Sequence, residues 1–116
     1  MSTILGRGTV LFVDDDAERA SRLRAAASSL GYNCAVEHTA RTALRRVKAR
    51  SVNVIAAISD LPDLHMNTFL ESLSRANVDS SVVIYGRNIS ASQAIAWMRA
   101  GVVDILLDPD SGDALR

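Results

Sequence analysis

At 116 residues with no net formal charge, 48% hydrophobic and 22% charged, the chain has the length of one domain and enough apolar content for a core. That excludes wholesale disorder and a histone-like polycation. Aromatic residues at 4% exclude a stacking platform for single-stranded nucleic acid, and the one cysteine, Cys34, excludes a disulfide framework or a Cys-rich zinc site.

Gly6-Arg7-Gly8 precedes an apolar run instead of following one, so it is no phosphate-binding loop, and residues 1–8 are expected to form a flexible leader. Thr9 to Val13 is short, apolar and without polar alternation, which predicts a strand covered on both faces. It runs into Asp14-Asp15-Asp16. From Ala17 to Leu30, apolar Ala20, Leu23, Ala26, Ala27 and Leu30 recur at helical spacing, and Gly31 ends that helix. Cys34-Ala35-Val36 predicts a second strand, and Ala40 to Arg50 a helix with Ala43, Leu44 and Val47 inward. The cycle repeats with strands at Val52–Ile58, Val82–Tyr85 and Val102–Leu107. Between them lie helices at Asn67–Arg75, carrying Phe69, Leu70 and Leu73, and at Ala91–Ala100, with Ile95 and Met98 on its apolar side. Asp108-Pro109-Asp110 follows, and Gly112 to Arg116 begins a last helix too short to stand alone, as expected of a chain cut from a longer one. Five buried strands alternating with helices imply an α/β domain over residues 9–116, a parallel sheet with helices on both faces and ligands at the strand carboxyl ends. No apolar run of about 18 residues or signal-peptide layout is present, so no membrane association and a cytoplasmic location are expected.

Three adjacent carboxylates repel one another and need water or cations close by. Two readings fit: a loop offering hard oxygen ligands to Mg²⁺, or a solvated strand end with Asp16 capping the next helix.

With Val10 to Asp16, Leu30-Gly31-Tyr32, Leu61-Pro62-Asp63, Ala100 to Asp104 and Pro109 in this order and at these separations, the chain resembles the receiver domain of bacterial two-component response regulators. The resemblance implies a flavodoxin-like, doubly wound sheet of order 2-1-3-4-5, with the last helix truncated here. It also implies a phosphoryl-transfer site: an acidic pair for Mg²⁺, an acceptor aspartate ending strand three, a hydroxyl after strand four and a lysine after strand five. Asp14 and Asp15 match the acidic pair and are the candidate ligands for a weakly held Mg²⁺. The other positions depart. Counting back from Pro62 puts Ile58 on the acceptor position, Gly86 stands where the hydroxyl belongs, Asp108 where the lysine belongs, and Ile105 at the aromatic position of strand five. Asp60 is the alternative acceptor, but it lies about 6–7 Å further along the chain. The single lysine, Lys48, falls on the second helix, far from the site, so Arg87 is the one cation expected to oppose the pocket's acids.

The reading is a receiver-like signalling domain, not an enzyme and needing no cofactor. It is atypical in lacking phosphorylation and acts through protein contacts on a downstream output domain; a conventional receiver using Asp60 with Mg²⁺ is the alternative. A doubly wound nucleotide binder is disfavoured, since no glycine-rich turn follows strand one. Residues 17–50 carry eight basic and two acidic side chains and residues 51–116 four and eight, so the Arg-rich helices are either a docking face for an acidic partner or simply solvated. Direct nucleic-acid binding is not expected. In the resembled family the fourth helix and fifth strand commonly form a partner or dimer face, and Trp97 is either a partly exposed anchor of that face or an ordinary laterally packed residue. His38 and His65 are too isolated to form a site with Cys34, and Asn67 is read as a turn or helix cap.

Overall fold

A computed structural model describes residues 8–107. The leader before Gly8, Asp108, Pro109 and the short last helix lie outside the described residues. The elements run β1 (Thr9–Val13), α1 (Ala17–Ser29), β2 (Asn33–Glu37), α2 (Ala40–Ala49), β3 (Val54–Ile58), α3 (Met66–Arg75), β4 (Ser81–Gly86), α4 (Ala91–Arg99) and β5 (Asp104–Leu107). The strands form one parallel sheet in the order β2-β1-β3-β4-β5, the doubly wound arrangement expected. Because the chain steps from β1 to β2 and then reverses past β1 to β3, right-handed crossovers put α1 on one face and the later helices on the other. The reversal opens a crevice between the carboxyl ends of β1 and β3.

The core is the set of residues the apolar runs supply. Leu11, Val13, Ile55, Ala57, Ile84 and Phe69 are fully buried, joined by Ala40 and Ala43 from α2. Apolar side chains on both faces of β1 and β3 are enclosed, as an interior parallel strand requires. The edge strand β2 is only half buried. Caps set the helix boundaries. Asp16, Thr39 and Ser90 each accept a bond from the third residue of α1, α2 and α4, and Ser90 with Gln93 completes a reciprocal capping box. Gly31, at φ +96°, turns the chain out of α1.

The sequence reading needs correction at several points. Leu30 is not on the buried face of α1. It is the residue that flanks the helix end, no longer in helical register, and is 61% exposed. Val52 and Val102 are buried, but in the irregular segments preceding β3 and β5 and not in the strands. Asn67 is no cap: α3 starts at Met66 after His65, and the Asn67 amide oxygen accepts from Trp97 Nε1 at 2.9 Å. On α4 the faces are reversed. Ile95 and Met98 are about half exposed, whereas Trp97 is buried, its ring in the core and its N–H tied to α3. A lone indole whose N–H finds a partner on a neighbouring helix belongs in the interior, so of the two readings of Trp97 packing holds and the exposed anchor does not.

Candidate functional site

The strand ends meet around one carboxylate. Val13 and Ala57 are register partners, so Asp14 and Ile58, each the next residue along, stand side by side; Ile58 in turn pairs with Tyr85. Paired residues of a parallel sheet point to the same face, which gathers Asp14, Ile58 and Tyr85. Ile58 is buried and is the last residue of β3. Asp60 lies beyond the strand end, exposed, after Ser59, whose backbone N–H donates to the Tyr85 carbonyl.

Asp14 has no exposure to solvent. Its Oδ1 accepts from the Asp16 backbone N–H at 2.9 Å and from Arg19 Nη2 at 2.7 Å. Its Oδ2 accepts from Arg19 Nε at 2.7 Å and from the Tyr85 hydroxyl at 2.7 Å. A carboxylate has about four lone-pair positions, and all of them are engaged. The local chain sets this up. Asp16 caps α1 through the Arg19 N–H at 3.0 Å, which fixes the backbone of Arg19 in the first turn, and the side chain folds back as a two-pronged fork on Asp14. The same guanidinium lies 3.9 Å from carboxylate oxygens of both Asp15 and Asp16. One guanidinium therefore touches all three carboxylates of the cluster, pairing with Asp14 outright and offsetting part of the charge of the other two. Hydrogen bonding to Asp14 holds the Arg19 guanidinium protonated far more firmly than usual, while the backbone N–H of Arg19 holds the Asp16 carboxyl below the ordinary aspartate range. His38 completes the loop from outside: its Nδ1 is 2.8 Å from the Asp14 carbonyl oxygen, so that nitrogen carries the proton.

Above this cluster lies an open cavity of about 540 Å³, bordered by Asp15, Ser59, Asp60, Gly86 and Arg87, with Ile58 and Tyr85 at its base. A side chain added at Gly86 would overlap Ser59 Oγ, so the space that a hydroxyl after strand four would fill is taken by the serine on the neighbouring loop. Lys48 lies on α2, exposed; Ile105 is a partly buried residue of β5 packed on the core.

Sequence reasoning brought Asp14, Ile58, Asp60, Gly86 and Arg87 to these strand ends but missed Arg19, Tyr85 and His38 as partners of Asp14. The expectation that Arg87 alone opposes the acids is corrected: Arg19 does so at contact distance. A signal for it was present, an arginine three residues beyond a capping aspartate.

Comparison with known proteins agrees with this architecture. The response regulator receiver domain family matches residues 10–116, and the chain belongs to that family as the receiver domain of a two-component response regulator. Among curated relatives, the transcriptional regulatory protein ZraR of Salmonella typhimurium is 25% identical over 113 residues, 97% of this chain but 26% of that protein. Its counterpart in Escherichia coli O157:H7 is 26% identical over 107 residues, 92% of this chain and 24% of the relative. The chain thus spans about a quarter of the length of these relatives. Among solved structures, the receiver domain of the Francisella response regulator 1452 superposes with a TM-score of 0.83 at 26% identity, covering 94% of this chain and 90% of that one. The beryllofluoride-activated NtrC4 receiver domain dimer gives 0.82 at 27% identity over 90% and 87%.

Proposed function

We propose that this receiver works without an acyl phosphate, as an atypical signalling domain whose output is carried by protein contacts. The observation that supports this reading is the placement of Ile58 at the end of β3, register-paired with Tyr85 and beside Asp14. A side chain with no oxygen occupies the place of a nucleophile, and the neighbouring carboxylate is already bonded to Arg19 and Tyr85. Asp60 stands outside this constellation, exposed and past the strand end.

The effector is an output domain: the curated relatives are transcriptional regulatory proteins about four times the length of this chain. Contacts fall on the α4–β5 face, which exposes Ile95, Met98, Val103, Leu106 and Leu107, and the partner there is the output domain or a second copy.

The test is incubation with Mg²⁺ and acetyl phosphate or beryllofluoride, followed by intact mass and amide resonances. No added mass and no shift at Asp14, Ser59 or Gly86 is expected. A phosphoryl adduct that disappears in Asp60→Asn would replace this reading with the conventional one.

A further inference from the structure

The acidic pair of the resembled family serves a divalent cation, and the residues present do not fit one held by Asp14. Both oxygens of that carboxylate are fully bonded to donors of this chain, and the side chain is sealed from solvent. A metal would have to displace the guanidinium, leaving a second cation stranded a few ångströms away among the same acids.

We propose that Arg19 is the built-in cation of this domain: its guanidinium permanently takes the position between Asp14, Asp15 and Asp16 and bars divalent metals from the strand ends. Three independent features support it. The fork is two-pronged and short, at 2.7 Å on each oxygen, and its side chain is only 22% exposed. It is tethered, because the capping bond from Arg19 to Asp16 sets its backbone, so it meets the carboxylate at a far higher effective concentration than a free ion does. Tyr85 arrives from β4 on the opposite side of Ile58 and occupies the lone pair that the fork leaves. The carboxylate thereby fastens β1, α1 and β4 together without a dissociable ion. This inference concerns the cation alone and stands or falls apart from the question of the acyl phosphate.

The experiment is titration of the isotopically labelled chain with Mn²⁺, reading paramagnetic broadening of amide resonances, with Mg²⁺ against EDTA as a thermal-unfolding control. The wild type should show no saturable broadening at Asp14–Asp16 and Ser59 at millimolar Mn²⁺ and no shift of its unfolding midpoint. Arg19→Ala should gain saturable broadening there, with Mn²⁺ binding tightened about tenfold or more, whereas Arg19→Lys, which keeps the charge, should stay closed. Should Arg19→Ala not fold, as judged by Trp97 fluorescence, Arg19→Gln decides the same question. Localised, saturable binding by the wild type overturns the proposal. So does a folded neutral variant that still excludes Mn²⁺, because the barrier would then not be Arg19.

Discussion

At the residue scale, the energetics of Asp14 follow from burying a charge and satisfying it completely. Breaking a buried pair by removing one partner leaves the other charge uncompensated, so Arg19→Ala should lower unfolding free energy by about 3–5 kcal/mol. Tyr85→Phe removes one bond to a charged acceptor and leaves the ring in the core, for a smaller loss of about 1.5–3 kcal/mol. Urea unfolding followed by Trp97 emission measures both, since Trp97 is the single tryptophan and is buried. Equal losses in the two variants would contradict the dominance of the fork. Asp14 itself was legible in the sequence as the acidic end of an apolar strand. Arg19 was marked only by its place three residues beyond a capping aspartate; that its side chain turns back onto Asp14 follows from the folded strand end and not from the spacing. Tyr85 was visible as a neighbour of Gly86, but where its hydroxyl ends depends on the register with Ile58, which only pairing fixes.

At the scale of elements, the loop after β3 is fastened to α2 by a second carboxylate. Asp63 accepts from the Ala40 N–H at 2.8 Å and the Arg41 N–H at 3.0 Å, the first N–H groups of that helix, which have no partners within it. Burial pushes the Asp63 carboxyl up, but the two N–H groups and the charge of Arg41 outweigh it and hold the group below its ordinary value. A carboxyl depressed in the folded state contributes stability above its unfolded value of about 3.9, and that contribution is lost as pH falls through the folded value. Stability should therefore drop on acidification below about pH 4, and Asp63→Asn should flatten that part of the profile while costing about 1 kcal/mol at neutral pH. Chemical denaturation across the acid range checks it. Gly86 offers a second test between elements. Gly86→Ser should destabilise by about 1 kcal/mol through its overlap with Ser59, and Ser59→Gly should relieve it; simple additivity of the two would show that the side chains do not share one space. The strands and helices themselves were legible, because short apolar runs and helical periodicities alternate cleanly. The faces of α4 were not. Ala94, Ile95, Trp97 and Met98 permit two apolar stripes, and the Asn67 partner of Trp97 decides between them.

At the scale of the molecule, the sheet order turns a division along the sequence into one across space. The basic segment of residues 17–50 supplies α1, β2 and α2, with β2 at one edge of the sheet, whereas β5, opening on Asp104, forms the other. Surface changes away from paired groups alter stability by only about 0.5 kcal/mol, so Ile95→Lys should leave the unfolding midpoint near that of the parent. Sedimentation velocity of the same variant reads whether the α4–β5 face supports pairing of two copies: pairing in the parent that survives Ile95→Lys would move the contact elsewhere.

The capped carboxylate also limits how such a domain can be switched. Where an incoming group completes an unfinished charge arrangement, it brings its own driving force. In the function proposed above the arrangement is finished from within, and a partner seeking another conformer must provide the bias through its own preference for it. Tipping a population from one part in a hundred to ninety-nine takes a discrimination of about 5.5 kcal/mol. That demand favours an extensive, intimate interface over a small diffusible signal.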